Sequence, residues 1–387
     1  MYKYNALCLI TTILVPLCES AEHFQTDFSL EGIFNLSFGI LDIKSPDVVQ
    51  LNVSPNYNLH ERPYSKGPLK ITASINLRNI LDVDEKAQIV SLETTLRLYW
   101  KDPRISPKAE YLESFDSMGN YTTLNPSLAS KIWMPDIFID QAKVLRAPSY
   151  FIQPASLRVY NDSLIRYSSR INFDVACNMD FHRYPVDEQY CEIKFESFGL
   201  QSNQIQLGWI PNSMDVNQNI TLAQFHFRVK LMDSYSTDYY DVSYPGLILQ
   251  LHLTRVIGYH IVQTYIPSTV FVVLAWMGMF IPVESVPGRV GMGMTTMLTL
   301  TAMFSSTRQN VPKVSYISVL DIWMLICMIF VFSTMAEFTV VIVLVRQGKK
   351  EFSEQFQMVS RFMLPCFFLL VNLLYWPLIM HNYLDGE

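Results

Sequence analysis

Residues 259–282 read YHIVQTYIPSTVFVVLAWMGMFIP and contain no charged side chain. That length matches the roughly 20 apolar residues a helix needs to cross a hydrocarbon core of about 30 Å. Around this stretch the composition divides. The chain has 387 residues, of which 50% are apolar and only 17% charged; a soluble protein carries about 25% charged residues. Residues 258–387 hold seven Lys and Arg and seven Asp and Glu, so the whole net charge of −6 lies ahead of them. No basic surplus exists to hold nucleic acid, which counts against that partner class. The sequence is that of a membrane protein with a polar N-terminal half.

Three further spans are expected, at 287–308, 319–345 and 362–380, after the first at 259–282. Residues 362–380 are uncharged, and 319–345 carry only Asp321 and Glu337. The 287–308 stretch is uncharged from Val290 to Thr307 but rich in Gly, Thr and Ser. Residues 1–21 read as a signal peptide, with Lys3 before a short apolar run and small residues at the end. Four spans after a cleaved leader place both mature termini outside. The loop 346–361 then faces the cytoplasm, and its four basic against two acidic residues agree with a positive-inside bias. Five Asn-x-Ser/Thr acceptors (Asn35, Asn52, Asn120, Asn161, Asn219) all precede the first span, as a glycosylated extracellular domain requires.

That domain, residues 22–256, reads as a β-sandwich with an N-terminal helix or arm and loop over 22–67. In Ser91–Trp100, Leu92, Thr94, Leu96, Leu98 and Trp100 fall on one face of a strand and Glu93, Thr95, Arg97 and Tyr99 on the other. Arg166–Asp174 alternates likewise. Of six cysteines, Cys8 and Cys18 leave with the leader, and Cys327 and Cys366 fall in spans. Cys177 and Cys191 remain as the pair in an oxidising compartment, and a disulfide closing a loop is the reading.

The segment between those cysteines, NMDFHRYPVDEQY, the upstream Trp133-Met134-Pro135-Asp136 and the four spans resemble the Cys-loop pentameric ligand-gated ion channels. The stretch Pro287-Gly288-Arg289-Val290-Gly291-Met292-Gly293-Met294-Thr295-Thr296-Met297-Leu298-Thr299 is similar to the pore helix of their anion-selective branch. So are Val311-Pro312-Lys313-Val314-Ser315-Tyr316 and Asp321-Ile322-Trp323. The resemblance covers about residues 68–381 and implies a membrane α+β fold: an extracellular β-sandwich on a four-helix transmembrane domain (257–381). It also implies a plasma-membrane pentamer, this chain with four further subunits of the same or another kind, and agonist sites between neighbours. Members usually carry a long segment between spans three and four, where this chain has 16 residues.

In the second span, Gly291, Thr295, Leu298, Ala302 and Ser305 share one stripe at 100° per residue. Five such stripes would line a narrow wet tube, which Leu298 would close by dewetting. Small residues also favour close helix packing in membranes. Arg289 and Arg308 flank the stripe, so a pentamer is expected to carry a positive ring at each mouth and to pass chloride. The resemblance makes Pro287-Gly288-Arg289 the anion filter.

The resemblance also implies an agonist site. Phe138, Phe198, Tyr244 and Tyr239 or Tyr240 match an aromatic box for an ammonium group. Glu196 and Ser197 match the holders of the ligand's amine. Arg97, Ser168 and Arg170 match the side that binds an amino-acid carboxylate, for which a guanidinium fork is suited. Against an amino-acid agonist, Thr95 stands where an aromatic is usual, and the hairpin 234–244 lacks the second cysteine pair of glycine receptors. Parts of the chain also resemble divergent insect chloride channels that respond to pH or zinc. A cross-strand pair of His226 and His252 would suit protons or zinc, if the hairpin turns near residue 239. His182 is a further proton candidate. For coupling, Pro185 and Asp187 in the disulfide loop, Arg255 and Lys313 match the family's junction. A subunit that conducts only beside a different partner is the alternative. No cofactor is expected, and no Gly-x-Ser-x-Gly, phosphate loop or His-Glu-x-x-His points to an enzyme.

Overall fold

The computed structural model describes residues 50–384, apart from 64, 65, 113, 147–153, 310 and 312. The expected leader at 1–21 and the acceptor Asn35 lie outside the described residues. Among the described residues fifteen strands, numbered in chain order, precede four long helices. A large sheet runs in the order β12 (Ile205–Val216), β2 (Leu69–Asp84), β3 (Ile89–Lys101), β10 (Leu164–Ala176), β9 (Ala155–Tyr160), β6 (Gly119–Leu124), β5 (Ser114–Asp116), and β8 (Ala142–Arg146) also pairs with β10. A smaller sheet runs β13 (Phe225–Leu231), β15 (Val242–Arg255), β11 (Glu188–Ser197), β7 (Ile137–Ile139), and β14 (Tyr235–Tyr239) pairs with β15. Two short strands, β1 (Leu51–Val53) and β4 (Ile105–Pro107), pair separately.

The two large sheets face each other through apolar side chains. Leu92, Leu98 and Trp100 from β3 are buried with Ile193 and Phe195 from β11. Phe173 of β10 meets Phe195 edge-on at 6.5 Å, which carries the packing from one sheet to the other. The disulfide Cys177–Cys191 joins the end of β10 to β11, and both cysteines are buried.

The helices are α1 (Gly258–Phe280), α2 (Val286–Gln309), α3 (Val319–Arg346) and α4 (Lys350–Leu384). Three of them are long and apolar enough to cross a membrane: Gly258–Phe280, Val319–Arg346 and, within α4, Lys350–Ile379. Glycines and threonines dilute the hydropathy of α2, although its 24 residues would reach across. A π-helical turn at Ile261–Tyr265 precedes Pro267, whose ring and missing N–H prevent a regular turn there. An aromatic knot ties the bundle together. Trp323 of α3 is fully buried, donates to Ser268 Oγ of α1 at 2.8 Å and lies 4.9 Å from the ring of Tyr375 on α4.

One expectation is corrected here. The loop 346–361 is mostly helix, since α4 begins at Lys350 and only Gln347–Lys349 connect it to α3. The charged residues in KEFSEQFQMVSRF mark where the helix leaves apolar surroundings. They are good helix formers, so they do not end it.

The edge of the large sheet is held by one carboxylate. Asp116 of β5 accepts from Tyr160 Oη at 2.7 Å and Arg158 at 3.3 Å, with Arg166 at 3.8 Å. Burial alone would raise its pKa, but the Tyr160 hydroxyl, the Met118 N–H and the two arginines hold it below the usual value of 3.8. A folded-state pKa below the unfolded one gives stability that is present above pH 3.8 and lost as pH falls through the folded value. Asp116→Asn should therefore cost about 1 kcal/mol at neutral pH. In thermal melts of the purified chain, the gap to the parent should close as the medium is acidified below about pH 4.

Candidate functional site

On the small sheet, β7, β11 and the β14–β15 hairpin bring the expected aromatic residues to one end. Phe138 and Phe198 meet edge-on at 5.8 Å, and Phe198 is 78% exposed. Tyr239 and Tyr244 stand 5.9 Å apart on the hairpin, while Tyr240, at its tip with φ +55°, projects fully into solvent. Ser197 is bonded within the chain. Its hydroxyl donates to Asp136 at 2.7 Å, and the second Asp136 oxygen accepts the Gly199 N–H at 2.6 Å.

Glu196 is buried at 3% exposure and is held by the hairpin. The Tyr235 hydroxyl donates to its Oε1, and the Thr237 hydroxyl reaches the same oxygen at 3.0 Å. Burial and that hydrogen bond together push the Tyr235 phenol above its ordinary pKa. The sheet register explains the geometry. Glu196, Gly246 and Tyr235 are opposite one another on three adjacent strands. A Cβ at Gly246 would come within 2.5 Å of the Tyr235 ring, so only a glycine lets the ring cross β15 to reach Glu196. Sequence reading missed Tyr235, Thr237 and Gly246; an in-strand glycine before an apolar run was the signal available.

The basic group lies on the other sheet. Ser168 and Arg97 are opposite each other on β10 and β3, and Arg170 is opposite Thr95. Arg170 is ion-paired to Glu93, and Arg78, absent from the expectation, donates to Thr95 Oγ1 at 2.9 Å. Arg97 is partly buried, and its Nε has no hydrogen-bond partner. A cleft of about 770 Å³ runs along this face between Arg78, Glu93, Arg170, Asp215 and Asn219.

The histidine pair is corrected. The hairpin turns at Tyr240–Asp241, one residue later than assumed, so His226 is opposite Thr254 and His252 opposite Arg228. His252 instead contacts Glu188 at 2.9 Å and stacks on Tyr190 at 4.4 Å. Among the described residues no group of three His, Cys, Asp or Glu side chains is placed to hold a metal ion.

Between the strands and the helices, Arg255 is buried and its guanidinium bonds both Asp187 oxygens, at 2.6 and 3.0 Å, and Glu85 at 2.6 Å. Burial would lower its pKa, but the hydrogen bonds and charges of Asp187 and Glu85 raise it. Pro185 lies in the same loop, after a cis peptide. Lys313 is exposed and joins no ion pair among the described residues. The contact to the helices is made instead by Tyr316. Its hydroxyl accepts the Phe181 N–H at 2.9 Å, and its ring stacks on His182 at 3.7 Å. The N–H groups of Val319 and Leu320, at the start of α3, donate to the carbonyls of His182 and Tyr184 at 3.2 and 3.1 Å.

On α2, Gly291, Thr295, Leu298, Ala302 and Ser305 are all exposed, whereas Gly293, Thr296 and Leu300 face the other helices. The stripe is therefore not packed against its own subunit. The arginines are arranged differently from expectation. Arg289 is buried, two residues before Gly291 and so on the far side of the helical turn. It donates to the carbonyls of Ile281 and Met279 at 2.6 and 3.0 Å, where the end of α1 offers negative dipole charge. Arg308 pairs with Asp321 at 3.2 Å, and the aspartate also caps α3 through Ser318. Arg289 is thus bonded to carbonyls and Arg308 to an acid, and Pro287 and Gly288 are exposed at the base of the helix.

Two family models match the chain. Residues 48–257 match the neurotransmitter-gated ion-channel ligand binding domain, and residues 264–360 match the transmembrane region of the same channels.

Replacing Gly246 by alanine should push Tyr235 off Glu196 and loosen the hairpin. Amide exchange over residues 235–239 should speed up by roughly tenfold, the loss of about one hydrogen bond to a charged group. Tyr235→Phe should do the same without a steric clash, and unchanged exchange in both variants would refute the latch.

Proposed function

Because this chain belongs to the neurotransmitter-gated ion-channel family, we propose that it is a subunit of a ligand-gated chloride channel of the plasma membrane. One observation carries the anion reading: the only charged side chains in α2, from Val286 to Gln309, are arginines, and its uncovered stripe bears no carboxylate. Five such helices around an axis would enclose threonine, serine and small side chains narrowed at Leu298, with the positive charge of Arg289 behind the wall of the tube. A buried charge still acts on an ion in the lumen, because a low-dielectric wall screens it weakly.

The stimulus would enter between subunits, where the aromatic end of one small sheet meets the large sheet of its neighbour. Both half-sites occur in one chain, which favours a homopentamer over an obligate mixed assembly. Arg97, whose guanidinium is not engaged by an acid, suits a carboxylate; Phe138, Phe198 and Tyr244 suit an ammonium group. An amino-acid agonist follows. Glu196 is already occupied on one oxygen by the hairpin, so agonist binding and hairpin position would be linked through that carboxylate.

A proton stimulus is the second reading, and His182 favours it. Its imidazole lies 2.5 Å from Asp180 and stacks on Tyr316 at the junction with the helices. The His182 N–H groups hold the Asp180 carboxyl below its usual range. Residues 1–21 would be removed as a leader. The exposed Asn52, Asn120, Asn161 and Asn219 would carry glycans, as would Asn35.

Whole-cell current from the chain expressed alone, under glycine, glutamate, GABA, histamine and stepped pH, tests the reading. The reversal potential should follow external chloride; one that follows sodium would refute the anion assignment. Leu298→Ser should leave the pore wet and give standing current without a stimulus. Tyr316→Ala should leave surface expression intact and weaken activation by about tenfold, the equivalent of ~1.4 kcal/mol of lost coupling.

A further inference from the structure

Glu337 is a carboxylate within the membrane-spanning helix α3, and only 6% of its surface is exposed. Neither of its oxygens has a hydrogen-bond partner. Across from it, on α2, Arg289 spends its Nε and Nη2 on the α1 carbonyls, while its buried Nη1 is also without a partner. Both side chains border one small space of about 20 Å³, lined also by Gly278, Met279, Gly293 and Met335. An ionisable group in a membrane interior is costly unless paired, so its partner is the first thing to identify.

Besides Glu284 in the α1–α2 connection, the other charged group at this cluster is Arg361 of α4. It donates to the same Met279 carbonyl, at 2.9 Å, and to Gln357 at 3.1 Å. Arg361 is therefore satisfied without Glu337. The Phe338 ring lies 5.2 Å from the Arg289 guanidinium and lines the same space. Gly293 allows the close approach of the helices; a Cβ there would overlap the Met335 side chain. The space is large enough for one water molecule, and such a water needs two or more polar neighbours. Glu337 supplies acceptors and Arg289 Nη1 a donor.

We propose that Glu337 is a positioning residue that holds Arg289 through one buried water molecule, fixing the base of the pore helix against α3 and turning the arginine's charge away from the lumen. The proposal rests on the reading of α2 as the pore helix. Neutralising Glu337 leaves the cytoplasmic mouth more positive and releases the third corner of the guanidinium, whose other two stay on α1. Removing either charge leaves the other buried without its main counter-charge.

A double-mutant cycle on the full-length purified channel tests the pair without needing an agonist. The four proteins are the parent, Arg289→Gln, Glu337→Gln and the double variant, compared by the heat-denaturation midpoint of the pentamer. The effect of Glu337→Gln should change sign with its background: it lowers the midpoint of the parent and raises that of Arg289→Gln, because there it removes an orphaned charge. The same effect in both backgrounds, or none in either, overturns the pairing. A second readout follows the charge in a Leu298→Ser channel with standing current. Glu337→Gln should raise inward relative to outward chloride conductance by roughly twofold, as expected for a unit charge about 10 Å from the ion path. Glu337→Asp should restore the parent ratio. An unchanged ratio in Glu337→Gln overturns the electrostatic half of the proposal. A reversal potential that follows sodium would instead mark failure of the anion reading, which leaves the midpoint cycle intact.

Discussion

The seating of the strands over the helices depends on one buried cation. Arg255 ends the last strand, three residues before α1 begins, and its guanidinium is shared between Asp187 of the disulfide loop and Glu85 of the β2–β3 turn. A buried arginine is costly unless its fork is filled, here by two acids, and Tyr184 and Phe225 also cover its faces at 4.7 Å. The cluster therefore dictates where the disulfide loop sits over the helices. Once it is there, the loop's carbonyls stand over α3 and accept N–H groups that every helix leaves unpaired at its start. Each half of the molecule completes the other's hydrogen bonding. A shift of the strands is thereby felt at α3 through backbone groups, not through a flexible side chain.

The end of the helix bundle away from the strands is built on a similar economy of charge. The last carbonyls of α1 are claimed by two arginines from different helices, Arg289 and Arg361. This arrangement uses the negative end of the helix dipole as an anchor, so α2 and α4 are pinned to one point on α1. Selectivity on this reading is a property of the wall behind the pore as much as of the residues that touch the ion.

Much of the architecture was legible in the residues themselves. Uncharged stretches reveal spans because a bilayer accepts little else, and the alternation in Ser91–Trp100 reveals a strand because its faces differ in burial. What stayed hidden depends on angles and contacts that spacing does not encode. Arg289 flanks the stripe in sequence, yet rotation about the helix axis turns it inward. A hairpin that turns one residue later than assumed slides two histidines off each other by two positions. The Tyr235–Glu196 latch needs three strands in register and a glycine between, and no local pattern announces that. The start of α4 was obscured because charge reads as a loop, whereas helices run on past the membrane surface at little cost.

The connection between α3 and α4 is only Gln347, Gly348 and Lys349, with Gly348 at φ +78° making the reversal. The two helices thus meet in a tight turn that owes nothing to any folded insert. Closing a longer excursion between fixed ends costs only about 0.6 kcal/mol for each doubling of its length. This corner can consequently accept sequences of very different size without disturbing the bundle. Regulation, tethering and trafficking signals could be exchanged there freely, and the conduction machinery would evolve independently of its address.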